Sequence, residues 1–350
     1  MVMQTGRLQY NPERKLTATK TYIDVCNGDA DGLCSVIQWR LYAPRDARLV
    51  TGLKRDIELL QRVSAISGDE VLVCDLSMRR NCQALMHLLN NGVKVTYFDH
   101  HEAGEIPVHP LLKVHIDLAS DVCTCLLMDR YLGGRFRGWA IVGTYGDNLI
   151  HVADALATQF GLSMTDRQRL RMLGESINYN AYGDSEQDAY IAPADLYRAL
   201  IGYPDPLDFL SQESLGQELE KQRLQDLRQA QDIAPYWQDG GSMVYLLPDA
   251  PWSRRIIGSL GNMLAISHPS QAHALLKQTV RGDFQVSVRA PLDTPHGAAY
   301  FARLFGGDGR AASAGIDHLP VQQLPLFIQA FSEAAWTDST TSSFWLERLD

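Results

Sequence analysis

A chain of 350 residues is long enough for two domains, each with a core of its own. Apolar residues make up 45% and charged residues 21%, a globular balance, and no run approaches the roughly 18 apolar residues that span a bilayer. With 32 basic against 41 acidic residues the net charge is −9, which argues against gripping long nucleic acid by counter-ion release. A small phosphorylated substrate stays open, because bound cations reverse the sign locally.

Residues 1–20 contain no apolar core of a secretory signal and are expected to form a polar arm. Beyond them, TYIDVC (21–26), ARLVTG (47–52), EVLVCD (70–75), VKVTYF (93–98) and KVHID (113–117) read as strands. Helical patterns are expected between them over 32–41, 56–66 and 79–90. Strands that are almost wholly apolar, alternating with helices, imply a parallel sheet covered on both faces, so residues 21–205 form a doubly wound α/β domain. The six cysteines (26, 34, 74, 82, 123 and 125) sit mostly in apolar segments without a zinc-type CxxC pair, and are expected as buried thiols in a reducing cytoplasm.

Residues 151–205 read as helical, interrupted by NYNAYGDSEQDAY. After GYPDP at 202–206, the polar segment 211–233 has a thin stripe of Leu215, Leu219 and Leu227 above a solvated face, as in a connecting helix. It makes 206–238 a helical linker. A smaller α/β domain follows over 239–350: a strand in GGSMVYLLPDAPW, a helix over 253–265, strands near 273–279 and 284–289, and a helix over 296–304. A cleft is expected between the domains.

In a doubly wound sheet the strand C-termini open onto one edge, where ligands bind. Four polar stretches end strands there or follow in the same domain: Asn27-Gly28-Asp29-Ala30-Asp31-Gly32, Asp75, Asp99-His100-His101, and Asp147 in IVGTYGDN. Each alone is an ordinary strand end or helix cap. Together, their carboxylates would repel one another without cations between them. Carboxylates mixed with imidazole suit Mn²⁺ or Mg²⁺.

This ordered series resembles the DHH phosphoesterase superfamily. So does the second half: Gly307-Asp308-Gly309-Arg310-Ala311-Ala312-Ser313-Ala314-Gly315 is similar to the GGGHxxAAG signature of a DHH-associated domain, with Ser287-Val288-Arg289 as the strand before it. The likeness spans about residues 21 to 318. It implies two ions, one held by Asn27, Asp29 and a bridging Asp75, the other by Asp31, Asp75, His100 and Asp147. It also implies that His101 faces the substrate phosphate and that Asp99 orients an imidazole, these two joining Asp75 and His100 in the catalytic set. Substrate contacts would come from His101, Arg289, Gly307, Gly309, Arg310 and Ser313. Two positions depart from the pattern. Asn27 stands where many members have histidine, and Arg310 where the signature has histidine, with Asp308 in place of a glycine. Arg310 can keep the grip on phosphate through its planar fork, or pair equally with Asp308 and be muted.

The implied activity is hydrolysis of phosphodiesters or phosphomonoesters in short oligonucleotides or small nucleotides, through water activated by two metals. Pyrophosphate or polyphosphate hydrolysis is an alternative within catalysis, and a nucleotide-binding module with degraded catalysis is one outside it. No membrane partner is expected, and a homodimer is compatible with this reading. Arg254 and Arg255 stand evenly between phosphate and solvent, His115 and Asp117 are expected to be structural, and 178–183 reads as a turn at the domain interface.

Overall fold

The computed structural model describes residues 20–336 except Val280; the expected polar arm lies outside this range but for Lys20. The first domain holds strands β1 (Tyr22–Cys26), β2 (Ala47–Val50), β3 (Glu70–Cys74), β4 (Lys94–Asp99) and β5 (Leu112–Ile116) in one wholly parallel sheet of order β2-β1-β3-β4-β5. Alternation within the strands explains its two cores. Val71 and Val73 of β3 face one side with Ile23, Val25, Val95 and Tyr97, while Leu72 and Cys74 face the other with Cys26 and Phe98. Helix α2 (Met78–Asn90) covers the first face, and helices α1 (Ala30–Tyr42), α3 (Thr124–Tyr131) and α4 (Arg137–Gly146) cover the second. The strand order reverses between β1 and β3, so their C-terminal ends flank the crevice where such sheets bind ligands.

One expected element is absent. Residues 56–66 make only a short 3₁₀ turn, Leu59–Arg62. The Asp56 carboxylate folds back to accept from the Leu53 N–H (2.9 Å), and the Asn81 amide spans the Ile57 carbonyl and the Leu60 N–H, so side chains take the bonds a helix would make.

Helices α5 (Ile150–Gln159), α6 (Met164–Asn180), α7 (Pro193–Leu200), α8 (Pro206–Gln212) and α9 (Leu215–Ala230) follow. Leu215 and Leu219 of α9 pack on the first domain's core, while Leu227 and Ala230 join a cluster with Tyr245, Ile256 and Leu275 of the second. The face of α9 expected to be solvated is not wholly so. Asp226 is fully buried, held by Arg255 (Oδ2 to Nε, 2.9 Å) and by the Tyr179 hydroxyl at 2.6 Å.

The second domain contains β6 (Trp237–Gln238), β7 (Ser242–Leu247), α10 (Pro251–Ser267), β8 (Ala272–Gln278), β9 (Phe284–Arg289), α11 (Ala298–Arg303), β10 (Asp308–Gly309), β11 (Ser313–Leu319) and α12 (Leu324–Ser332). Its mixed sheet runs β10-β11-β9-β8-β7-β6, with β7 parallel to β8 and the remaining pairs antiparallel. Phe301 of α11, Phe305 in the turn after it, and Phe327 and Phe331 of α12 fill one face, and α10 lies across the other. Ion pairs close the two domains on each other: Arg79 with Asp308 at 2.6 Å, and the buried Lys277 with Asp184 at 2.5 Å. Among the described residues no helix is long and apolar enough to cross a membrane.

Candidate active site

The loop from β1 into α1 carries the first carboxylates. Asp29 caps α1, accepting from the Gly32 N–H at 3.1 Å, and this places Asp31 in the first turn. The turn is too tight for a side chain at Gly32, where a Cβ would stand 2.2 Å from the Asn27 carbonyl oxygen. Asp31 reaches a second helix start. Its two oxygens accept from the N–H groups of Thr124 (2.8 Å) and Cys125 (2.7 Å), tying α3 to α1. Gly146 does the same for Asp147: a Cβ there would come within 2.2 Å of the Ala30 side chain, so only glycine lets α4 end against α1. Asp75 ends β3 with φ of 59°, a left-handed conformation that turns its carboxylate into the crevice.

The two histidines of the β4 end part company. His100 is buried, and its Nδ1 donates to the Val122 carbonyl at 2.8 Å. Its Nε2 is thereby turned toward Asp75 (3.4 Å) and Asp31 (3.7 Å). His101 is 41% exposed and holds Asp99 Oδ1 through Nδ1 at 2.8 Å, while Asp99 itself is wholly buried. Ligand atoms of Asp31, His100 and Asp147 lie within 4.8 Å of one another, as do those of Asp75, His100 and His101.

Arg310, from the β10–β11 hairpin, crosses the cleft into this cluster. Its Nη1 donates to Asp147 Oδ2 (2.8 Å), and its Nη2 to Asp147 Oδ1 (3.1 Å) and to His100 Nε2 (2.9 Å). Asp308, the alternative partner for Arg310, lies elsewhere, with Arg79 and Arg303 (3.3 Å).

No family model matches the sequence, and no curated protein does. Solved structures match over 90% of the chain. A structure of exonuclease RecJ bound to manganese is 19% identical with a TM-score of 0.55, over 89% of its own length. The DHH domain of a member of a family of ribosomal proteins is 12% identical with a TM-score of 0.61, over 86% of its length. A pGpG-specific phosphodiesterase, PggH of Vibrio cholerae, is 14% identical with a TM-score of 0.51, over 100% of its length. The chain has the fold of the DHH superfamily.

Within this DHH fold the electrostatics are uneven. Burial raises the pKa of Asp31, and Cys123 and Asp75 add to it. Burial opposes ionisation of Asp75 as well, but the hydrogen bond to His100 and the charges of His101, His100 and Lys54 hold it well below the usual carboxylate range. Burial and Arg310 oppose protonation of His100, yet Asp75, Asp147 and Asp31 push its basicity up, which makes Nε2 a stronger donor. Asp147 is held low, against burial, by Arg310 and His100. Asp31, His100 and Asp147 offer oxygen donors and one imidazole whose other nitrogen is fixed by a backbone carbonyl, with Asp75 3.4 Å from Nε2. This donor set suits a hard divalent ion once Arg310 leaves Asp147 and His100 Nε2.

The other expected set does not fit. Asn27 Oδ1 faces the Asp29 N–H at 3.3 Å, and its Nδ2 donates to the Lys54 carbonyl at 3.4 Å. Asp29 Oδ2 receives the Lys54 ammonium at 2.5 Å. An ion on the same carboxylate, about 4 Å from that ammonium, would be repelled by about 8 kcal/mol at an effective dielectric constant of 20. Lys54 is the functional residue missed in the sequence, where the only signal was its place in a strand-end loop on the ligand edge. Asn178, which accepts from Lys54 at 3.1 Å, lies in the segment expected to be a turn and ends α6.

The second-domain residues divide. Arg289 is committed to protein groups: Asn262 (3.0 Å), the Ser287 hydroxyl (2.9 Å) and the carbonyls of Val288 and Gly258. The N–H of Gly307 donates to the Ala302 carbonyl, that of Gly309 to Asp308, and that of Arg310 to the carbonyl of Ser313 within the hairpin, so these three groups serve the turn. Arg254 pairs with Asp188 (3.0 Å) and Asp249 (2.6 Å), and Arg255 with Asp226, so both meet carboxylates of the interface. His115 stacks on Phe98 at 4.4 Å, and Asp117 pairs with Arg130 at 3.4 Å. Cys26, Cys34, Cys74, Cys123 and Cys125 are buried free thiols, and Cys82 is half-buried.

Proposed function

We propose that this chain is a divalent-metal-dependent phosphoesterase acting on short oligonucleotides or small nucleotides. The observation that carries the reading is His100, anchored through Nδ1 and aimed through Nε2 at Asp31 and Asp75, with Asp147 completing the set. An ion bound there supplies a water of lowered pKa and positive charge beside the phosphoryl oxygens. Arg310 exchanges its bidentate hold on Asp147 for the substrate phosphate, which its planar fork fits equally well. His101, oriented by Asp99, turns its other nitrogen to the cleft and donates a proton to the leaving oxygen. Water oxygen bonds to phosphorus and its proton passes to solvent, while the ester P–O bond breaks with the His101 proton going to the departing alcohol oxygen. His101 is reprotonated from solvent as the alcohol and the phosphate leave.

Short substrates suit the acidic chain and the ion pairs that close its domains. Tyr182, whose ring lies 5.8 Å from the Lys54 ammonium, offers a surface on which a base can stack. The RecJ structure contains manganese and PggH acts on pGpG; for this chain both chemistries belong to the proposal. A hydrolysis screen with Mn²⁺ over dinucleotides, 3′,5′-bisphosphates, cyclic nucleotides, pyrophosphate and polyphosphate is the test. Dinucleotide cleavage abolished by a chelator is expected; no turnover of any substrate overturns the reading. A second reading, a nucleotide-binding module without catalysis, is favoured by Lys54 and Arg310 lying on the carboxylates, and predicts binding without hydrolysis in the same screen.

A further inference from the structure

The Lys54 ammonium is built into the crevice rather than resting on it. Its backbone N–H donates to the Ala181 carbonyl at 2.9 Å, and its own carbonyl accepts from Asn27, so both neighbours of the site hold the residue in place. Its Nζ meets Asp29 at 2.5 Å and Asn178 at 3.1 Å, and Asp29 is only 3% exposed. Asp29 is also the carboxylate that stands apart: the groups whose donor atoms converge include Asp31, Asp75, His100, His101 and Asp147 but not Asp29. Asn27 offers a neutral amide whose oxygen already faces the Asp29 N–H.

We propose that Lys54 permanently takes the place of one of the two ions such a carboxylate cluster would otherwise hold, so that the centre binds a single divalent cation through Asp31, Asp75, His100 and Asp147. The inference rests on the phosphoesterase reading and deepens it. An ammonium has three N–H donors. Asp29 and Asn178 take two, and the third remains for a phosphoryl oxygen, on the side of the substrate away from the ion. The charge of Lys54 also acts on Asp75 and Asp147, so it serves the cluster as a whole.

The test is metal stoichiometry with Mn²⁺ alone, by calorimetric titration and electron paramagnetic resonance, on the full chain. Wild type should bind one ion per chain and give the spectrum of an isolated ion. Lys54→Met, similar in length and uncharged, should bind a second ion next to the first, with an exchange-coupled signal. Lys54→Arg should stay at one. Two coupled ions in the wild type overturn the inference and leave the phosphoesterase reading standing. A folded Lys54→Met protein still limited to one ion also overturns it. No bound ion in any of the three proteins overturns both readings together. The wild-type result decides the matter even if Lys54→Met fails to fold.

Discussion

The two ends of the carboxylate cluster are neutralised in opposite ways. At the Asp29 end the cation is Lys54, from the same domain, with its backbone hydrogen-bonded to Ala181 and Asn27. At the Asp147 end it is Arg310, carried by a hairpin of the other domain, with a side chain 37% exposed. A cation anchored beside its carboxylate stays whatever the substrate does. One that spans a cleft can be handed to an incoming phosphate. Under the proposed function, the contrast separates a charge that defines the centre from a charge that answers to its occupant.

The strongest way to break this comparison is to remove the carboxylate between the two ends. Asp75→Ala should lower hydrolysis on the order of a thousandfold or more, since it takes away both a ligand and the group that polarises His100. Its circular dichroism should remain that of the wild type, and near-normal turnover with saturating Mn²⁺ would remove the metal assignment. Next comes the cleft-spanning end. Arg310→Ala should cost roughly ten- to hundredfold in kcat/KM, as expected for a charge-assisted hydrogen bond worth about 1.5–3 kcal/mol. Arg310→Lys should restore part of it, and wild-type kinetics in both would mean that Arg310 never leaves Asp147.

Acid should loosen the Arg310 end before the Lys54 end. His273, wholly buried in the second domain, has its pKa lowered to about 4 by burial, with the charge of Arg289 adding to the fall. The unfolded chain takes up this proton first, so the stabilisation is full above the ordinary value of about 6.5 and is lost as pH falls from there toward 4. The loss is on the order of 2 kcal/mol. Thermal melts at pH 7 and 4.5 should show it, and His273→Phe should flatten it. The smallest effect belongs to the anchored end: Asn27→His alone should add no second ion, because the ammonium is still in place, and manganese titration should match the wild type.

Much of this architecture was legible because burial on both faces leaves its mark in each strand: VLVC and YIDV cannot be half-solvated. The strand-end placement of the aspartates followed from topology, and the split of His100 from His101 from the resemblance to the DHH superfamily. What stayed hidden depends on distance along the chain. Local sequence offered Asp308 as the partner of Arg310, but the guanidinium goes to Asp147, 163 residues away, and Asp308 to Arg79, 229 residues away. Lys54 sat in a segment that read as the approach to a helix, and its contact with Asn178 spans 124 residues. Asp226 looked like one more polar residue of a solvated helix until Arg255 arrived from α10 to pair with it.

The short stretch from Val122 to Cys125 acts as a clip. Its carbonyl at 122 sets the ring of His100, and its N–H groups at 124 and 125 grasp both oxygens of Asp31. Two of the proposed ligands, from distant parts of the chain, are thus aligned by four consecutive residues. Anyone transplanting this centre to another scaffold would have to carry the clip along with the aspartates and histidines. A library that randomised only the ligands would miss the part that holds them in register.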